Sequence, residues 1–401
     1  MGFRRNANSS QIPVNVAVIK LDRLGDVVLC SQMLAGLRRA WPKTRITLFV
    51  RESLVDLARL CPDVDEVIGV PVDEGALFSG KHNVWRELLA KWLQCCNHGG
   101  LWKRRFDMVL VPRWEEDLYG AISLAYVIGA PRRWGVTETA TPGKAIINRG
   151  FDQLLTHVIK GQSVRHEFLL NESFLHALGI QSPDHQKLTP WFKKADQEKA
   201  ARIMAQAGVI SFKKTIVVCM GAGGVYKMWP VESYARLCRT VFDFEIIQLV
   251  TFGTAAESCL GLRLKNILGD VVINLEGKLP LSLLPAAVSL GALYIGSDTG
   301  TKHLAVAAGL PVFEISCHPL DGEPYQAESP LRFGPWAVPN RVVQPAKATA
   351  PCEKYCASGK SHCILGVSIE QATGALRSLL EETGLQAVCR SGTFDLLPEG
   401  K

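Results

Sequence analysis

At 401 residues, with 47% hydrophobic and 21% charged side chains, the chain has the composition of a folded α/β protein and length enough for two domains, each with its own core. A net charge of +7 is modest for this length; it favours anionic small molecules or an anionic surface, and no nucleic-acid signature accompanies it. No apolar run reaches the roughly 18 residues of a membrane span, and the basic start Met1-Gly-Phe-Arg-Arg lacks the apolar stretch of a secretory signal, so a cytoplasmic protein is expected.

Residues 1–12 are polar and read as a frayed end. Val14–Ile19 reads as a strand, and Lys20-Leu-Asp22-Arg23-Leu-Gly25-Asp26 as a loop entering a helix that runs to about Ala40. Strands at Ile46–Val50 and Asp65–Val70 flank a helix at Ser53–Leu60. A helix at Asn83–Cys96 and a basic loop follow, then a strand at Phe106–Pro112, a helix at Glu116–Ile128, a strand at Arg133–Val136 and a helix at Gln162–Leu178. The turn-rich stretch beginning at Gly179 reads as a linker.

The second half repeats the alternation. Helices are expected at Lys194–Ala207, Val231–Phe242, Thr254–Ile267 and Pro280–Leu290, with strands at Thr215–Met220, Glu245–Val250 and Val271–Asn274. Ala292–Ile295 then starts a βαβ unit: strand, the turn around Asp298-Thr299-Gly300, a helix stopped by Gly309 and Pro311, and a strand from Pro311. A last helix is expected near Ile369–Glu382. Strands alternating with helices predict an α/β fold of parallel, doubly wound sheets. The expected plan is a Rossmann-like domain over 1–180, a linker over 181–195 and a second Rossmann-like domain over 196–366. The helix and tail over 367–401 are expected to pack back on the first domain. Two such domains would face each other across a cleft at the carboxyl ends of their strands, where these folds bind ligands.

Chemistry is concentrated in three strand-to-helix turns. In the first, Gly25 permits close backbone approach, and Asp26 at the helix start suits a general base that deprotonates a hydroxyl. The same carboxylate equally suits the dipole of its helix. In the second, Gly221-Ala-Gly223-Gly224 precedes Lys227; such a turn can cradle a phosphate while the lysine stabilises a departing diphosphate, although a plain surface loop reads the same way. In the third, Asp298, Thr299, Gly300, Thr301, Lys302 and His303 stand at a helix N-terminus, which points to an anionic, hydroxyl-rich ligand.

Leu21-Asp-Arg-Leu-Gly-Asp26-Val, Lys227-Met-Trp-Pro230 and Ser297-Asp-Thr-Gly-Thr-Lys-His303-Leu-Ala occur in one order at separations that resemble glycosyltransferase family 9, the ADP-heptose:lipopolysaccharide heptosyltransferases. The similarity spans about residues 14–380. It implies a GT-B fold and a metal-independent, inverting transfer of heptose from ADP-heptose to the Kdo or heptose of the lipopolysaccharide inner core. It further implies Asp26 as catalytic base, with Arg23 and Gly25 in the turn near the acceptor. Gly223, Gly224, Lys227 and the segment Asp298 to His303 would be donor-binding. Two departures stand out: Gly223 and Gly224 replace the hydroxyl residues common in the family, and Lys302 adds a cation beside His303 that could alter the preferred sugar or acceptor.

No cofactor is expected beyond the ADP-sugar substrate. The partners expected are that donor, a lipid-linked oligosaccharide acceptor and an anionic inner-membrane surface; nucleic acid is not expected. The single Asp-x-Asp triplet, Asp63-Val-Asp65, precedes a strand in a surface turn and weakens the case for a metal-dependent GT-A mechanism. Cys352, Cys356 and Cys363, with His362, could make a zinc site, but they lack the C-x2-C spacing and the adjacent Cys and His are awkward joint ligands, so reduced structural thiols are the preferred reading. Basic and aromatic residues cluster at Arg38–Arg45, Leu101–Arg105 and Arg132–Trp134, where they could face an anionic glycolipid or form ordinary surface. The reading is an inverting GT-B heptosyltransferase at the cytoplasmic face of the inner membrane; the alternatives are a sugar-nucleotide epimerase of the same fold and a non-catalytic sugar-nucleotide-binding protein.

Overall fold

The computed structural model describes residues 12–72, 91–93, 104–160, 165–182, 187–353 and 358–390. The chain forms two compact units that divide between Trp191 and Phe192. Most of the helix expected at Asn83–Cys96, residues 101–103 of the basic loop, and Cys356 lie outside the described residues.

The first unit is built on six parallel strands: β1 (Asn15–Ile19), β2 (Arg45–Arg51), β3 (Glu66–Val70), β4 (Met108–Val111), β5 (Arg132–Val136) and β6 (His157–Ile159), in the order β3-β2-β1-β4-β5-β6. Val16 in β1 pairs with Ile46 on one side and Met108 on the other. Val16, Ala17 and Val18 are wholly buried, as a central strand covered by helices on both faces requires.

The second unit repeats the plan with β7 (Lys214–Cys219), β8 (Ile247–Thr251), β9 (Val272–Asn274), β10 (Leu293–Ser297), β11 (Val312–Ile315) and β12 (Asn340–Val343), in the order β12-β11-β10-β7-β8-β9. Counted from its own first strand, this is the order of the first unit. In each sheet the direction of strand succession reverses between the first and fourth strands, β1 and β4 or β7 and β10. The loops leaving those two strands diverge there, and the crevice between them is the usual ligand position in such sheets.

Several expected elements differ. The long helix after Asp26 is two, Leu24–Leu29 and Ser31–Ala40, joined at Cys30. The helix expected from Glu116 begins only at Ala121: Gly120 takes a left-handed φ of 71°, and the Asp117 carboxylate accepts from the N–H groups of Ala121 and Ile122 (2.9 and 2.7 Å), satisfying donors that another helical turn would have used. The strands β6 and β12 were not expected; both are short edge strands whose burial pattern is too weak to show a period. The helix Ile369–Glu382 lies where expected in sequence, and its apolar stripe is part of the core of the second unit, where it had been expected to pack back on the first domain. Its stripe of Ala372, Leu376, Leu379 and Leu380 is wholly buried in the same core as Leu237, Val241 and Val343.

Candidate functional site

In the first unit, Lys20 leaves the carboxyl end of β1 and is wholly buried. Its ammonium donates to the Pro112 carbonyl (2.8 Å) and faces Asp22 (3.3 Å) and Glu167 (3.5 Å). Burial works against the charge, but Asp22 and Glu167 more than offset it, and the Lys20 pKa is raised. Arg113 leaves the carboxyl end of β4, pairs closely with Asp22 and reaches Glu115 at 3.4 Å. Burial alone would raise the Asp22 carboxyl; Arg113 and Lys20 hold it below the ordinary carboxylate range. Lys20 and Arg113 therefore converge from the two strands of the switch point, and only the strand order makes them neighbours.

Asp26 sits in the first turn of Leu24–Leu29 and is half-buried. Among the described residues its carboxylate has no hydrogen-bond or ion-pair partner. Burial and then the negative Asp22 push its pKa up to about 7, with Lys20 and Arg113 opposing only in part. An unpaired carboxylate with that pKa takes up or gives a proton near neutrality, which general-base work needs. Arg23 is exposed at the N-cap of the helix and Gly25 is buried within it.

In the second unit, the Gly221–Gly224 turn leaves β7 and leads into the one-turn 3-10 helix Val225–Lys227. The Lys227 ammonium lies 3.0 Å from Asp298 and 3.6 Å from Glu328. Asp298 leaves β10, the other strand of this switch point. Its second carboxylate oxygen accepts from Lys302 (2.7 Å), whose ammonium also reaches Glu314 on β11 (3.0 Å). Burial opposes ionisation of Asp298, yet the two lysines hold it well below the carboxylate range. The same pairing raises Lys227 and Lys302 despite their burial. Burial pushes Glu314 up to about 7, against the pull of Lys302. The turn is braced from behind: the Tyr234 hydroxyl lies 3.0 Å from Ser297 Oγ, which donates to the Met220 carbonyl (3.2 Å), tying the end of β10 to the end of β7.

Two expectations for this turn change. Lys302, expected to meet the donor, is fully buried with its ammonium between Asp298 and Glu314; it positions Asp298 from beneath. Thr301 and His303 are likewise buried, so the parts of the segment open to a ligand are Asp298, Thr299 and Gly300 at the start of helix Gly300–Ala307. Gly223 is exposed and Gly224 half-buried; a Cβ on Gly224 would run into the Tyr226 ring. That ring's hydroxyl donates to Glu328 (2.8 Å).

Arg113, Glu167, Glu314 and Glu328 belong to these clusters but were not among the sequence candidates. Arg113 carried a signal, since it directly follows a strand; so did Glu314, a carboxylate inside the apolar run Val312–Ile315. Glu328 lies in a stretch with no periodic pattern and carried none. The basic clusters are engaged locally: Arg38 with Asp65 (2.6 Å), Arg104 with Glu66 (2.6 Å), Arg133 with the Leu154 and Ala130 carbonyls (2.8 and 2.6 Å), and Trp134 stacked on His157. Among the described residues no helix is long and apolar enough to cross a membrane. One group among them has ligand atoms close enough to share a metal ion, Cys352, His362 and Cys363.

The family model for glycosyltransferase family 9 (heptosyltransferase) matches residues 101–362. The lipopolysaccharide core heptosyltransferase OpsX of Haemophilus influenzae is 22% identical over 83% of this chain and 85% of its own length. Among solved structures, the family 9 glycosyltransferase of Veillonella parvula superposes with a TM-score of 0.66 at 22% identity, covering 92% of this chain and 97% of that one. The E. coli ADP-heptose lps heptosyltransferase II superposes with a TM-score of 0.64 at 18% identity, covering 92% and 99%. The fold they share with this chain is GT-B, two Rossmann-like domains.

Proposed function

The chain belongs to glycosyltransferase family 9 and is a glycosyltransferase, and we propose that it transfers a heptose from ADP-heptose to the lipopolysaccharide inner core with inversion at the anomeric carbon. The observation that carries this reading is Asp26 at the switch point of the first sheet, a half-buried carboxylate with no hydrogen-bond or ion-pair partner among the described residues, which burial and Asp22 push up to about 7. In the proposed step Asp26 takes the proton of an acceptor hydroxyl as its oxygen bonds to the anomeric carbon, and the bond from that carbon to the ADP oxygen breaks. Positive charge accumulates on the sugar in the transition state, as in glycoside hydrolysis. Lys227 and the backbone N–H groups at Thr299 and Gly300 would take up the charge that grows on the diphosphate. The Lys227 ammonium has one N–H donor beyond those directed at Asp298 and Glu328, and a phosphate oxygen can take it.

The side-chain hydroxyls that Gly223 and Gly224 lack would be replaced by main-chain contacts, which glycine leaves accessible. Because Lys227 supplies the cation at the leaving group, catalysis is proposed to need no added divalent metal, and Mg2+ or Mn2+ should not raise the rate. A lipid-linked acceptor would place the reaction at the cytoplasmic membrane face.

The test is incubation of the protein with ADP-heptose and truncated core lipid, with the linkage of the product read by NMR. Transfer with inversion that is lost in Asp26→Ala supports the proposal. Transfer that survives Asp26→Ala would overturn the role of Asp26, while isomerised donor, or donor bound but never transferred, would overturn the reaction itself.

A further inference from the structure

We propose that Cys352, His362 and Cys363 form a site for a thiophilic divalent cation, Zn2+ foremost, which fixes the loop that braces the Lys227 turn. The ligand atoms of the three residues lie within 4.8 Å of one another. Cys363 Sγ is 3.5 Å from His362 Nδ1; the corresponding edge of a zinc tetrahedron, with ordinary Zn–S and Zn–N bonds, is about 3.6 Å. Adjacent residues rarely share an ion because an extended or helical backbone sends their side chains apart. Here His362 takes φ −144° and ψ −88°, outside both regular regions, just before the 3-10 helix Cys363–Gly366, and the kink turns the two side chains together. Both cysteines are buried, 5% and 8% exposed, and no disulfide joins the described cysteines. The Thr349 N–H points at Cys363 Sγ (3.5 Å), the kind of donor that steadies a metal-bound thiolate, and the Cys352 N–H donates to the Thr349 carbonyl (2.9 Å) to close the turn between them.

The consequence for the rest of the unit runs through Ser361, next to His362. Its hydroxyl lies 2.9 Å from the carbonyls of both Val225 and Met228, which bracket Lys227. The three ligands also line one pocket with Tyr226 and Glu328, the residues packed on Gly224 and paired with Lys227. An ion held by Cys352, His362 and Cys363 would tie Cys352 to the residues that follow Ser361, keeping Ser361 on the Lys227 turn. Two thiolates and one imidazole fill three positions of a tetrahedron, and among the described residues no further ligand joins them. The cation is structural in this proposal and takes no part in bond making. Its binding requires no assumption about the reaction catalysed.

The test uses the full chain expressed without added chelator. Elemental analysis should find about one equivalent of metal, with Zn2+ predominant. After removal under reducing conditions, Co2+ titration should restore one equivalent, with tetrahedral d–d bands and thiolate charge transfer. The double variant Cys352→Ser/Cys363→Ser should lose the metal and the charge-transfer band. His362→Gln, at a less buried position, should weaken the affinity at least tenfold while keeping the native circular dichroism. Amide exchange in the peptide spanning Val225–Met228 should accelerate on metal removal and recover with Zn2+. Metal-free protein that takes up no Co2+, a Cys352–Cys363 disulfide under reducing purification, or metal retained by the double variant would each overturn the site. Unchanged exchange over Val225–Met228 would overturn the bracing role while leaving the reading of the glycosyl transfer untouched.

Discussion

Replacing Asp26 by Asn should stabilise the protein above neutral pH while removing activity. In the folded chain burial and the negative Asp22 hold the Asp26 pKa at about 7; in the unfolded chain the carboxyl has an ordinary aspartate value near 4. The folded state therefore keeps a proton that the unfolded state has released between about pH 4 and 7, and stability falls as pH rises through that window. Above pH 7 the full difference would be roughly 4 kcal/mol for a group sealed from water. Asp26 is half-buried, so solvent screens much of it, and about 1–2 kcal/mol is the reasonable expectation. Asn has nearly the same shape and no charge, and it should recover that amount. For a unit of this size this is a rise of about 3–6 °C in Tm at pH 8, shrinking to nothing near pH 4. Thermal melts of the two proteins across pH 4–8 read the difference directly, and effects of groups that do not interact with Asp26 cancel. A variant no more stable than the parent at pH 8 would refute the argument, because it would mean that Lys20 and Arg113 already compensate the ionised carboxylate.

The wild-type kcat/KM should rise with pH through about 7 as Asp26 loses its proton, and a profile flat between pH 5.5 and 8.5 would contradict its role as base. Lys227→Ala should weaken ADP binding by at least tenfold in calorimetry, since it removes the cation held between Asp298 and Glu328; unchanged affinity would move the diphosphate elsewhere. Lys302→Met should cost about 3–5 kcal/mol in denaturant unfolding, because it strands Glu314 beneath Asp298, and adding Glu314→Leu should recover much of the loss. Leu376→Ala should cost about 2–5 kcal/mol and lower the melting of the second unit, as expected of a wholly buried leucine in its core; a loss below 1 kcal/mol would place that helix outside the core.

The α/β class, the twofold repeat of the domain plan and the three turns that carry Asp26, Lys227 and Asp298 are all legible in the order of the residues. Those features are local. Strand runs buried on both faces, glycines and caps in strand-to-helix turns, and helical spacing are written within a few residues of one another. The helix Ile369–Glu382 was legible to the residue for the same reason, its stripe of Ala372, Leu376, Leu379 and Leu380 repeating at helical spacing. Which body that stripe packs on was not, because an apolar stripe does not name its partner; only tertiary structure put it against Leu237 and Val241. The same limit governed the site. Arg113 meets Asp22, and Glu314 meets Lys302, across strands far apart in sequence, and strand order alone decides such meetings. A lysine in a polar turn reads as a ligand contact until the fold shows its ammonium sealed beneath Asp298. His362 and Cys363 read as awkward joint ligands until the backbone at His362 turns them together, because metal geometry depends on distances in space that residue spacing records only when the chain between is regular.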